Sequence, residues 1–269
     1  MYANSQTWGS VLRIAASAGT VLWALAAPLS AAEQPGITVF AAASLREAFE
    51  AAAPAFTRQT GIKVAYVFGG SDLLLTQLQQ GAPADVFASA SEVQMKVATE
   101  RGLLAQPAKT LVRNHLVVIV RKDDAAKISV LADLAKSGVK IVLGATGVPV
   151  GNYARSAFHR LNGTRGYPDD FELSVERNVV SNELDVKAVA TKIALGEGDA
   201  GVVYATDVTP ALAAKVTTIP FPSGAVPPAI YPIAPLKAAP NASGARAFVA
   251  FMLSPAGQSF LRARGFAAP

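Results

Sequence analysis

ITVFAAASLREAFEAAAPAF (residues 37–56) changes period part-way through, and that change decides the fold class. Residues 37–42 are a short apolar run of strand length. From Leu45 onward, Leu45, Ala48, Phe49, Ala52 and Phe56 recur at the spacing of one helix face. Only small residues separate the two, so a buried strand feeds directly into a helix. The same alternation continues along the chain. Strands are expected at residues 63–68, 85–88, 116–120, 140–143, 173–180 and 201–204, and helices at 73–80, 92–101, 150–161 and 186–195. LVVIV (116–120) has no polar break, as expected of a strand covered on both faces. Repeated strand–helix units predict an α/β fold with mostly parallel sheets.

Near the C-terminus the rhythm breaks. Pro220, Pro222, Pro227, Pro228, Pro232 and Pro235 are too dense for a helix. Residues 229–234 among them read as an edge or crossover strand. Two further helices are expected at 244–253 and 255–264, closed by Gly265. The pattern predicts two α/β lobes, residues 33–115 with 220–269 and residues 116–219, joined by two crossovers.

Residues 14–27 (IAASAGTVLWALAA) form an apolar core behind Arg13, and Ser30-Ala31-Ala32 precede Glu33. This is the layout of a secretory leader, residues 1–32, cleaved near Ala32. The apolar run is shorter than the roughly 20 residues that a membrane-spanning helix needs. Without those residues the net charge falls from +5 to +4, since they carry one Arg and no acid. That balance is compatible with anionic ligands, and with no Lys/Arg cluster it gives no support for nucleic acid. The chain has no cysteine, which excludes thiol catalysis and thiolate metal sites. Its two histidines, His115 and His159, are too few for the usual zinc centres.

Several strand-to-helix turns place a hydroxyl or an unblocked amide where a helix begins. In Ala41-Ala42-Ala43-Ser44-Leu45 the small residues admit a close ligand, and Ser44 opens the helix. Ser44-Leu45-Arg46-Glu47 also matches a capping box, and local sequence alone favours that reading. Phe68-Gly69-Gly70-Ser71-Asp72 offers a backbone nest for an anion, or an ordinary turn capped by Ser71. Asp72 is expected to point to solvent. Pro149 has no amide hydrogen, so the first free donor of the next helix is the amide of Val150. Asp185 is a good N-cap, with the amide of Val186 following it. Tyr204 ends the strand GVVY, where a core position and a ligand position are equally supported.

Catalytic signatures are missing: there is no Gly-x-Ser-x-Gly elbow, P-loop or His-Glu-x-x-His. A serine hydrolase using Ser44 would need a base, and His115 and His159 stand in unsuggestive contexts. Asp85, Asp123, Asp124, Asp169 and Asp170 read as caps or turn residues. Phe158, Phe248, Phe251 and Phe260 read as core. The expectation is a binding protein, not an enzyme.

ITVFAAASL (37–45), GAPADVFASA (81–90), VPVGNYA (148–154), GVVYATD (201–207) and YPIA (231–234) together resemble the periplasmic molybdate-binding proteins of ABC importers. The likeness runs in order from about residue 36 to 266, with AAASL and GAPAD its most specific pair. It implies a type II periplasmic-binding-protein fold with an oxyanion in the cleft between the lobes. It further implies hydroxyl donors at Ser44, Ser71 and Tyr204 and amide donors at Val150 and Val186. No cofactor is implied. The implied ligand is molybdate or tungstate, the implied partner a membrane permease, and the expected state a monomer. One departure stands out. The second turn is usually rich in Ser, Ala and Thr in that family, and here it reads Gly69-Gly70-Ser71-Asp72. That leaves sulfate or another oxyanion as an alternative ligand.

Overall fold

The computed structural model describes residues 36–123 and 126–269; the expected leader and Asp124 lie outside them. Two five-stranded sheets organise the chain. The first contains β1 (Ile37–Ala42), β2 (Val64–Gly69), β3 (Val86–Ala88), β4 (Lys109–Asn114) and β10 (Ala229–Pro235), in the order β2-β1-β3-β10-β4. The second contains β5 (Leu116–Arg121), β6 (Ile141–Gly144), β7 (Val179–Glu183), β8 (Ala200–Tyr204) and β9 (Val216–Pro220), in the order β7-β6-β8-β5-β9. Only His115 separates β4 from β5, so the chain leaves the first sheet for the second there. It returns between Pro220 and Ala229.

Helices cover both sheets. Strand β1 is flanked by β2 and β3 and is buried along nearly its whole length. The edge strand β2 alternates half-buried and exposed positions, as an edge with one wet face should. Helix α1 (Arg46–Thr60) follows a short 3-10 turn at Ala43–Leu45 and buries Ala48, Phe49, Ala52 and Phe56. It stops at Gly61, whose φ of +74° costs a residue without a Cβ nothing. Helices α2 (Ser71–Gln79) and α3 (Glu92–Glu100) complete the first half. The second sheet carries α4 (Pro149–Leu161), α5 (Phe171–Arg177), α6 (Val186–Leu195) and the single turn α7 (Pro210–Ala213). Helices α8 (Ala242–Leu253) and α9 (Pro255–Arg262) then pack against α1. Phe248 of α8 meets Phe49 and Phe56 edge-on, with ring centroids 5.7 and 5.3 Å away. No helix among the described residues is long and apolar enough to cross a membrane.

Four expectations need correction. The sheets are mixed, not mostly parallel: β10 runs antiparallel to β3 and β4, and β5 runs antiparallel to β8 and β9. LVVIV is buried on both faces all the same, because helices cover both sides of the sheet, and burial does not report strand direction. Residues 173–180 are not one strand. Helix α5 occupies Phe171–Arg177, burying Phe171 and Val175 one turn apart while Leu173 is exposed, and β7 follows. Strand β10 is internal, not an edge; the register shifts between Tyr231 and Pro232, and this irregularity accommodates the missing proline donor. Strands β4 and β9 were not anticipated, since KTLVRN and VTTIP are short and half polar.

Candidate oxyanion site

The C-terminal ends of β1 and β2 in the first sheet, and of β6, β7 and β8 in the second, converge on one cavity. Ligands of open α/β sheets collect at this position. Ala42, Ala43, Ser44, Gly69, Gly70, Ser71 and Ala90 line it from the first half; Val148, Pro149, Val150, Asp185, Val186 and Tyr204 line it from the second. All five positions singled out in the sequence therefore meet here. The space is small, closed in by the small side chains and helix starts of both halves. A compact polyatomic ion suits the cavity better than an organic molecule does.

Ser44 is buried, and its Oγ lies 2.9 Å from the hydroxyl of Tyr231. It makes no cap bond, so the capping box is not formed; Glu47 pairs with Lys187 instead, at 2.8 Å. The amide of Arg46 at the start of α1 donates to the Ala43 carbonyl, so the donors that this helix start leaves free lie in the preceding 3-10 turn. Ser71 is completely buried and opens α2, with Gly70 as N-cap. Its Oγ accepts from the amide of Ala90 at 3.0 Å. The serine hydrogen thus remains available for another acceptor.

On the opposite side, Pro149 starts α4 and leaves Val150 as its first donor. Gly151 is required here by contact: a Cβ would lie 2.2 Å from the carbonyl oxygen of Gly144, which seats the helix start tightly on β6. Asp185 caps α6 by accepting from the amides of Lys187 and Ala188, not from that of Val186. Tyr204 is 1% exposed, its ring sits edge-on to Tyr231 at 5.5 Å, and its hydroxyl has no hydrogen-bond partner among the described residues. Burial pushes both tyrosine hydroxyls well above their ordinary pKa, so each remains a protonated donor. An orphaned buried O–H facing a cavity is a demand for an acceptor.

No Lys or Arg lines the cavity, and its one acid, Asp185, is engaged by backbone amides. The donors are neutral. Among the described residues no group of three His, Cys, Asp or Glu could hold a bare cation. Asp72 is corrected: one carboxylate oxygen is buried without a hydrogen-bond partner, and the other faces Gly147, so it does not simply point to solvent. It does not line the cavity. The two halves are closed over the site. Gln94 donates to the carbonyl of Gly147 at 3.1 Å, and Gly70 lies so near Leu184 that a Cβ would be 2.3 Å from its carbonyl oxygen.

The remaining candidates stay outside. His115 is exposed, and His159 is exposed and pairs with Glu172 at 2.8 Å. Asp85 is buried as a tie between chain segments, accepting from the amides of Thr38 and Asn241. Sequence reasoning missed Ala90, Tyr231 and the Glu47–Lys187–Asp207 cluster beside the cavity. Tyr231 and Asp207 lie within two of the quoted motifs, but nothing local showed what they touch.

Known proteins resemble this chain over most of its length. Residues 37–267 match the family described as bacterial extracellular solute-binding protein. The molybdate-binding protein ModA of Mycobacterium tuberculosis is 39% identical over 234 residues, covering 87% of this chain and 85% of that protein. The substrate-binding domain of a putative molybdenum ABC transporter from Clostridium difficile superposes with a TM-score of 0.63 at 31% identity, covering 87% of this chain and 99% of that one. The periplasmic molybdate-binding protein of Azotobacter vinelandii shares the fold, with a TM-score of 0.74 at 22% identity and coverage of 87% and 99%. The fold is the two-lobed, type II binding-protein architecture, and this chain belongs to the bacterial extracellular solute-binding protein family.

Proposed function

We propose that this protein captures molybdate, and tungstate with it, for an ABC importer. The observation that carries this reading is the orphaned Tyr204 hydroxyl, which shares a small buried cavity with two serine hydroxyls and four helix starts but with no cationic side chain. In the proposed complex Ser44 and Ser71 donate from one lobe, and the Val150 amide, the Val186 amide and the Tyr204 hydroxyl donate from the other. Each bond to a charged oxygen is worth about 1.5–3 kcal/mol, so five outweigh a substantial desolvation cost. Helix dipoles add to the attraction. A donor-only site also discriminates, because a protonated oxyanion would bury an O–H with nothing to accept it.

The lobes, residues 33–115 with 220–269 and residues 116–219, close around the anion by bending at the two crossovers. The closed form then presents the ligand to a membrane permease. The protein works outside the cytoplasm as a monomer, after removal of residues 1–32.

Calorimetry on residues 33–269 with molybdate, tungstate, sulfate and phosphate tests this. Tight binding of the first two with the others silent is the expected result. Sulfate binding with molybdate silent would transfer the assignment to the alternative oxyanion and implicate the Gly69–Asp72 turn. No binding of any of the four would overturn it.

A further inference from the structure

Beside the cavity lies a charged cluster that the five donors do not use. Asp207, in the 3-10 turn after β8, is buried and accepts from the amide of Tyr204 at 3.2 Å. Lys187, the residue after Val186, places its ammonium 3.1 Å from Asp207 and 2.8 Å from Glu47. Glu47 belongs to α1, one turn beyond Ser44, on the opposite lobe. One cation therefore bridges the lobes while contacting a carboxylate buried behind the anion site. A dianion in the cavity and a bare Asp207 would repel one another through a low-dielectric interior.

We infer that Lys187 is a positioning residue that couples lobe closure to anion capture, by neutralising Asp207 and tying the start of α6 to Glu47 on the other lobe. This rests on the proposed oxyanion function. Closing the lobes brings Glu47 to the ammonium, and the same ammonium keeps Asp207 from opposing the incoming charge. The groups facing Asp207 are Lys187 from α6, Glu47 from α1, Tyr204 on β8 and Tyr231 on β10. Burial pushes its carboxyl up to about 6 even with Lys187 in place. Without the lysine, Asp207 is neutral only when protonated.

The test is molybdate titration at pH 8 and pH 5.5 for wild type, K187M, K187R and the double variant K187M/D207N. The expected result is at least about a tenfold loss of affinity for K187M at pH 8, most of it regained at pH 5.5. K187R binds nearly as wild type, and K187M/D207N recovers affinity at both pH values. Wild-type affinity in K187M at pH 8 overturns the inference, as does a double variant as weak as K187M. A purely structural lysine would not give recovery on removing the opposing charge. If the wild type binds no oxyanion, the proposed function fails separately. Ligand-free melting then decides the neutralisation: the fall in melting temperature from pH 5.5 to pH 8 must be larger in K187M than in the wild type, and D207N must abolish it.

Discussion

The buried Tyr204 hydroxyl makes no well-formed hydrogen bond, its one neighbouring hydroxyl being that of Tyr231, while its ring is fully packed. Y204F should therefore weaken molybdate binding by about 1.5–3 kcal/mol, a factor of roughly 10 to 150, without lowering the ligand-free melting temperature. A drop in that temperature would mean that the hydroxyl has a structural partner instead. Asp133 shows the opposite economy. Its carboxylate accepts from the amides of Ser129 and Val130 and from the Ser129 hydroxyl, with Lys136 at 2.8 Å. The Lys136 contact and these bonds hold its carboxyl well below the usual range. A lowered folded-state pKa stabilises above the ordinary carboxylate range and is lost as the pH falls through it. D133A should cost about 1–2 kcal/mol at pH 7 and much less in acid, checked by urea melts at both. The proposed ligand positions could be marked as candidates because each sits where a strand ends and a helix begins, but only the family resemblance favoured a ligand role over a cap at Ser44 or a core place at Tyr204. The Glu47–Lys187 pair could not be marked, since its members stand 140 residues apart.

Elements were readable where one period ran unbroken, as in α1 and α4, and were misread where two periods overlapped. In FELSVER, Leu173 and Val175 alternate like a strand, yet Phe171 and Val175 share the buried face of a helix. The Pro-rich stretch hid an internal strand because its irregularity at Pro232 has no sequence mark. Contacts between elements are equally silent in sequence. Phe248 reads as a generic helix-face residue, but it joins α8 to α1 and β2 by ring contacts with Phe49, Phe56 and Tyr66. F248A should destabilise by about 3–5 kcal/mol, read from the denaturation midpoint at unchanged slope. Gly70 behaves differently. Its φ of −61° and ψ of 136° suit any residue, so G70A leaves α2 unstrained. The atoms nearest to an added Cβ are the Leu184 carbonyl of the opposite lobe, at 2.3 Å, and the end of the Asp72 side chain in its own turn, at 2.7 Å, which can swing away. The expected result is an overpacking cost of about 1–3 kcal/mol directed against closure: weaker molybdate binding with ligand-free melting nearly unchanged.

At the scale of the whole molecule, two sheets joined by two short passages make the closed form depend on what lies between them. The contacts between the two halves around the cavity include the bonds of Gln94 to Gly147, Lys187 to Glu47 and Asn114 to Thr206, the approach of Gly70 to Leu184, and the edge-on rings of Tyr204 and Tyr231. The donors that this seam turns on the cavity find their acceptor only in an anion, so closure should be favoured by the anion that completes it. Molybdate added to the ligand-free protein should then shrink the radius of gyration measured by small-angle scattering. It should also stabilise the fold by about 4 kcal/mol when present at 1,000 times its Kd. The pH dependence has a definite sign. Asp207 carries a raised pKa of about 6, so the folded chain holds a proton that the unfolded chain releases near the ordinary carboxylate value of about 4. Its contribution is fully present below that value and is lost as the pH rises through about 6. In D207N the ligand-free stability should lose this decline between about pH 4 and 6, while the molybdate-induced compaction persists, because a neutral amide at that position needs no cation to offset it beside the dianion. Compaction that vanished with Asp207 would instead make the carboxylate itself part of the closing contact.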